Sequence, residues 1–243
     1  MKIVAIIQAR LGSTRLPGKV LMDLGGRTVL ARVVGRVRQA TLVDEIVVAT
    51  TDFPPDETIV RECHQLKVSS FRGSENDVLD RYYRAARGSG AGTVVRITSD
   101  CPVIDPQLVD ETVQLFLREC ADYACNVLPR TYPRGLDTEV FSMDALERAW
   151  CDAGESCERE HVTPYFYEHP ELFRLASLRG PNDYSQYRWT LDTAEDLELL
   201  RTIYARFDNA DDFSWSEVIQ LMKREPELAE LNSRVVQKTL QGV

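Results

Sequence analysis

Residues 8–19, QARLGSTRLPGK, gather three cations (Arg10, Arg15, Lys19) with Gly12, Ser13, Thr14 and Gly18 directly after the apolar run Ile3–Ile7. Open α/β sheets place their ligands at the C-terminal ends of strands. Glycines let the backbone approach a ligand and turn N–H groups toward phosphate oxygens. Arginine offers paired planar donors and lysine a compact point charge, and both suit phosphate. The stretch reads as a polyphosphate loop; the alternative is a solvated basic turn after an edge strand. It is not the Walker pattern, which needs Gly-Lys-Ser/Thr opening a helix.

A carboxylate at the end of another strand could serve that loop. Asp100 stands just past the β-branched run Thr93–Thr98, and Pro102 and Pro106 stop any simple continuation. A carboxylate there, facing a basic loop, suits a hard cation such as magnesium, which takes one or two carboxylates and completes its shell with phosphate and water. The alternative is a turn cap. Asp192 ends the run Trp189–Leu191, read as a strand, and precedes the helical stretch AEDLELLRTIYARF. From the sequence alone it fits a helix N-cap equally well.

The elements that position these residues alternate between strand and helix, which predicts a mixed, mostly parallel sheet flanked by helices. Strand 2–8 comes first, then a helix capped by Thr28 and running to about Ala40. A strand over Ile46–Ala49 and a helix over about Asp56–Leu66 follow. Residues 71–74 read as a turn, and Asn76 or Asp77 as the cap of a helix with Val78, Leu79, Tyr82, Ala85 and Ala86 on its buried stripe. Asp105 reads as the cap of helix 106–119, and 122–127 as a short strand. The segment 129–142 breaks the alternation: Pro129, Pro133 and Gly135 make a loop before a strand at about Thr138–Phe141. Residues 143–169 read as two helices, 172–180 as an outer strand, and the region after Phe213 as two short amphipathic helices. His161 lies beside Glu158 and Glu160 without HExxH spacing and reads as a packing or surface histidine.

The chain has 243 residues, 44% hydrophobic and 28% charged, which is ordinary for a soluble globular enzyme. A formal net charge of −9 argues against a general nucleic-acid or membrane-surface binder. The six cysteines form no CxxC pair or zinc spacing. With no signal peptide and no long apolar span, free thiols in a reducing cytoplasm are the simplest account. One domain spanning 1–243 is expected.

QARLGSTRLPGKVL resembles the signature loop of the cytidylyltransferases that activate acidic sugars as CMP-sugars, including the acylneuraminate and 3-deoxy-manno-octulosonate enzymes. The match is nearest to the spore-coat polysaccharide biosynthesis branch. Four separated motifs carry it, at 8–21, 72–81, 96–106 and 185–197, with a softer match at 134–141. The resemblance implies the nucleotide-diphospho-sugar transferase fold and transfer of CMP from CTP to an acidic sugar, with magnesium and with release of pyrophosphate. It implies nucleotide contacts at Ala9, Arg10, Gly12, Ser13, Arg15 and Lys19, and base or ribose contacts at Gly73, Ser74, Asp77 and Arg81. For Arg81 the alternative is an ordinary exposed helix residue. Asp100 and Asp192 are implied to share the metal, and Arg10, Lys19 and Asp100 to act in catalysis. An inserted element at about 129–142 is implied to serve acceptor recognition and homodimer contacts. There, Arg130 and Arg134 could meet an acidic sugar, and Asp137 and Glu139 could accept its hydroxyls; a surface ion-pair network is the alternative. A sugar-phosphate pyrophosphorylase would carry a Gly-x-Gly-x-Arg loop, and a glycosyltransferase Asp-x-Asp; neither is present. A different nucleotide, a phosphonate-like acceptor or a non-catalytic nucleotide-binding protein are the remaining readings.

Overall fold

Strand β1 (Ile3–Gln8) is apolar on both faces, and both faces are covered. Ile3, Ala5 and Ile7 enter one core layer, while Val4 and Ile6 enter the opposite one. Such continuous apolar strands belong to central positions of parallel sheets. In the computed structural model, which describes residues 1–237, β1 lies third in a seven-stranded sheet of order β3-β2-β1-β4-β6-β5-β7. The other strands are β2 (Glu45–Thr51), β3 (Ser69–Gly73), β4 (Thr93–Thr98), β5 (Tyr123–Cys125), β6 (Glu139–Ser142) and β7 (Leu175–Ser177). The pairs β1–β2, β2–β3, β1–β4 and β5–β7 are parallel; β6 runs antiparallel to both β4 and β5. The expected mixed, mostly parallel sheet is the one found.

Strand order reverses between β1 and β4, so their C-terminal ends open a crevice at a topological switch point. One face of the sheet is covered by α1 (Val29–Val37), α2 (Glu57–Leu66) and α4 (Pro106–Arg118). The other carries α3 (Val78–Ser89), α5 (Met143–Asp152), α6 (Ser156–His161) and α7 (Pro164–Glu168). A third apolar cluster joins α8 (Ala194–Arg206), α9 (Trp215–Arg224) and α10 (Glu227–Glu230) to Leu24, Val103, Leu136 and Trp189. Caps set the helix starts: Thr28, Asp77 and Asp105 each accept backbone N–H groups of the first turn.

Three local expectations need correction. Phe71–Gly73 is not a turn but the end of edge strand β3, whose half-exposed side chains lack an apolar signal. Residues 189–192 form no strand; a single bridge joins Arg188 to Arg134, and isolated backbone and side-chain bonds to Arg134 and Asp100 hold the rest. Residues 143–169 hold three helices, because Val162 at φ 72° breaks α6 before Pro164 opens α7. All six cysteines are free thiols.

Candidate active site

A cleft of about 310 Å³ lies over the ends of β1 and β4. The loop after β1 forms one wall. It is pinned at its root: the Leu11 amide donates to Asp56 Oδ1 at 2.9 Å, and Asp56, buried in the turn Pro54–Asp56 that follows β2, also accepts from the Thr51 hydroxyl at 2.5 Å. The amides of Ser13 and Gly18 both donate to the Leu11 carbonyl, at 2.7 and 3.0 Å, which folds the loop back on itself. Gly18 closes it at φ 69°, where a side chain would be strained. Ala9, Arg10, Gly12, Ser13, Arg15 and Lys19 all line the cleft. Arg10 is exposed, with Glu75 3.7 Å away.

The two aspartates converge. Residues 190–191 are sewn directly to Asp100: the Leu191 amide and the Thr190 hydroxyl donate to the Asp100 carbonyl at 2.8 and 3.1 Å. Thr193, not Asp192, caps α8, in a capping box with Asp196. That leaves the Asp192 carboxylate to face the cleft. Lys19 Nζ donates to Asp100 Oδ2 at 2.7 Å, to Asp192 Oδ1 at 2.8 Å and to the Leu191 carbonyl at 2.7 Å. Arg15 and Arg188 reach Asp192 Oδ2 at 3.0 and 2.6 Å. Burial pushes the Lys19 ammonium down, but the two carboxylates outweigh it and hold its pKa above the ordinary value. Burial likewise raises the Asp192 carboxyl, and Lys19, Arg188 and Arg15 more than reverse this, so it lies below its usual range.

These carboxylates fit a divalent cation. They are hard oxygen donors already gathered on one positive centre, and among the described residues Asp100 Oδ1 meets only the Cys101 thiol, at 3.7 Å. Among the described residues no three His, Cys, Asp or Glu side chains form a ready cage. Phosphate and water would have to complete the shell.

The opposite wall comes from α3 and α6. Arg81, read from sequence as either a nucleotide contact or an exposed helix residue, is buried and lines the cleft. It donates to the Ser74 carbonyl, burial depresses its pKa, and its Nε has no partner among the described residues. Gln8, whose Oε1 likewise has none among them, lines the same cleft. Gly73, Ser74 and Asp77 do not line the cleft. Gly73 ends β3; Ser74 Oγ accepts from the Asp77 amide; Asp77 caps α3 and is gripped by Arg159 Nη2 at 2.5 Å. His161, read from sequence as a packing or surface histidine, is half-buried and lines the cleft beside Glu160. Burial lowers the His161 pKa below 6.5, keeping the ring neutral at pH 7. The only sequence signal for this was the Glu160-His161 pair on a short charged helix.

The 129–142 segment meets the site through Gly135. At φ 108°, any Cβ there would lie 2.6 Å from the Trp189 backbone, so only glycine lets this loop cross residues 188–190. Asp137 is bound by Arg130 through both oxygens, at 2.5 and 2.8 Å. Glu139 is buried and pairs with Arg96 and, at 2.6 Å, with the Tyr123 hydroxyl. Arg134 is half-buried; burial and the nearby Arg130 lower its pKa, and its guanidinium forms no ion pair among the described residues.

A cationic loop, pinned after the first strand and opposed by two converging carboxylates at the switch point, is the architecture of a nucleotidyl-transferring enzyme. The family model described as cytidylyltransferase matches residues 4–232, and the chain belongs to that family. The spore coat polysaccharide biosynthesis protein SpsF of Bacillus subtilis (strain 168) is 38% identical over 234 residues, covering 93% of this chain and 96% of its own. A 3-deoxy-manno-octulosonate cytidylyltransferase of Geobacter metallireducens is 34% identical over 228 residues, with 84% of this chain and 86% of that protein covered. The solved structure of a cytidylyltransferase from Leptospira borgpetersenii superposes with a TM-score of 0.91 at 35% identity, covering 98% of this chain and all of that one. The chain is a cytidylyltransferase.

Proposed function

We propose that the enzyme transfers CMP from CTP to an acidic sugar of the octulosonic or nonulosonic type, releasing pyrophosphate, in the synthesis of a surface polysaccharide. The observation that carries this reading is the convergence of Arg10, Arg15 and Lys19 with Asp100 and Asp192 in one cleft. The relatives named for spore-coat polysaccharide and for octulosonate activation support the acceptor class. So does Arg134, a half-buried guanidinium without a carboxylate of its own, which suits an acceptor's carboxylate. Arg130–Asp137 and Arg96–Glu139 are read as the braced wall beside it, with the inserted element serving acceptor binding and a homodimer contact.

In the reaction an acceptor hydroxyl oxygen attacks the α-phosphorus of CTP, the bond to the bridging oxygen breaks, and pyrophosphate leaves with the electron pair. Little covalent work falls to the protein; positioning and charge neutralisation dominate. Arg10, Arg15 and Lys19 hold the triphosphate and stabilise charge on the departing pyrophosphate. Gly12 and Ser13 shape the loop around it, Ala9 borders the nucleoside, and Arg81, held from behind by the Ser74 carbonyl, orients base and ribose. A divalent cation, for which magnesium is the candidate, would be held by Asp100 and Asp192 and would supply Lewis-acid neutralisation of the α-phosphate and a lowered acceptor pKa.

The test is pyrophosphate release across CTP, UTP, ATP and GTP against a panel of acidic sugars. CTP-specific release with a 3-deoxy-2-keto sugar acid supports the reading. Release with a phosphonate and not with any sugar acid would replace the acceptor class.

A further inference from the structure

The Lys19 ammonium has three N–H donors and no more. All three are spent, on Asp100 Oδ2, Asp192 Oδ1 and the Leu191 carbonyl, at 2.7, 2.8 and 2.7 Å. Asp192 has no free oxygen: Lys19 holds Oδ1, and Arg15 and Arg188 share Oδ2. Two of the three cations that the loop offers to a triphosphate are therefore bound to the same carboxylates that a divalent cation would need. We propose that Lys19 is the resident counter-ion of the Asp100–Asp192 pair, and that a divalent cation enters only as the triphosphate draws Lys19 and Arg15 away.

The partners of each cation decide which can leave. Arg188 is anchored from behind. Its Nε donates to Asp196 Oδ1 at 2.9 Å, Asp196 is fully buried, and Asn232 Nδ2 holds both Asp196 Oδ1 and the Arg188 carbonyl. It stays on Asp192. Among the described residues Arg15 has no anchoring partner beyond Asp192, and Lys19 none beyond the two carboxylates and one carbonyl. Both project from the cleft-lining loop. A triphosphate competes with the carboxylates for those two side chains; release of Lys19 empties Asp100 Oδ2 and Asp192 Oδ1, and release of Arg15 leaves Asp192 Oδ2 to Arg188 alone. Nucleotide and cation thus make room for one another, which is positive coupling between two sites. With no ligand bound, Lys19 also spares the two acids from facing one another unpaired.

This rests on reading Asp100 and Asp192 as the cation site. Free Mn²⁺ is the probe, counted by electron paramagnetic resonance without nucleotide. Lys19→Met and Lys19→Gln should each bind Mn²⁺ at least about tenfold more tightly than the unmodified protein. Equal affinity in a variant that still unfolds cooperatively overturns the proposal. If neither variant folds, the unmodified protein decides, through the Nζ resonance of Lys19 in ¹⁵N-lysine spectra. Millimolar Mg²⁺ alone should leave that resonance in place, and CTP with Mg²⁺ should move it; movement by Mg²⁺ alone overturns the proposal. Neither readout requires turnover. Tighter Mn²⁺ binding in an enzyme that gives no pyrophosphate would leave this proposal standing and sink the functional reading. Asp100-dependent turnover with no gain of Mn²⁺ affinity would do the reverse.

Discussion

Lys19 carries the most weight of any single side chain, because one ammonium group organises both acids and, in the proposed reaction, the phosphates. Lys19→Ala should lower kcat/KM by roughly 100- to 1,000-fold, the scale set by removing one preorganised donor from a developing anion. The variant should keep a cooperative unfolding transition, checked by thermal melting beside the kinetics. Arg81→Lys should instead act on binding. A charged hydrogen bond contributes about 1.5–3 kcal/mol, so KM for CTP should rise roughly 10- to 100-fold with kcat little changed. His161 gives a pH signature. Its folded pKa lies below the unfolded value of 6.5, so the folded state binds fewer protons. Its contribution to stability is present above 6.5 and is lost as pH falls from there through the folded pKa. His161→Asn should flatten the slope of stability against pH in that window, measured by urea unfolding. Sequence placed Lys19, Asp100 and Arg15 in one site because their residue types and local spacing announce phosphate chemistry. It could not show that Lys19 bonds to acids 81 and 173 positions away.

At the scale of elements, long apolar strands and capped helices were legible because burial imposes a period on them. β1, β4, α1, α3, α4 and α8 all lie where the apolar spacing puts them. Edge strand β3 was not, since half-exposed side chains carry no alternation. Nor was the course of residues 187–192, which isolated backbone bonds to Arg134 and Asp100 hold in place of a ladder. Two arginines of α1 fasten other loops. Arg36 donates to the carbonyls of Ile104, Asp211 and Phe213, and Arg32 to those of Leu24, Gly25 and Asn209. The Tyr204 hydroxyl adds a bond to the Pro102 carbonyl at 2.7 Å. Arg36 and Tyr204 together hold the loop that follows Asp100. Arg36→Leu strips the Ile104 and Phe213 carbonyls of their side-chain donor and leaves the Asp211 carbonyl to Gln39; each buried unpaired acceptor costs about 1–3 kcal/mol, so a loss of roughly 2–6 kcal/mol is expected from urea unfolding. Gly135→Ala should cost at least ~1–3 kcal/mol through its positive φ alone, with overlap against Trp189 added. It should also weaken acceptor binding more than CTP binding, seen as a selective rise in the acceptor's KM.

Taken whole, the molecule carries a net charge of −9, yet its cleft concentrates arginine and lysine. An anionic substrate is held by local contacts and not drawn in by the general field. Among the described residues no helix is long and apolar enough to cross a membrane. The sheet order brings the loop after β1, the end of β4 and the segment before α8 to one crevice, and the chemistry follows from that meeting. One measurement bears on it most directly: pyrophosphate release from CTP with Mg²⁺ and a 3-deoxy-2-keto sugar acid, run beside Asp100→Asn and Lys19→Ala. Release that depends on CTP and on the acceptor, and that both substitutions suppress by two orders of magnitude or more, is the expected result. Near-normal release from either variant would contradict the assignment of this cleft as the site of transfer.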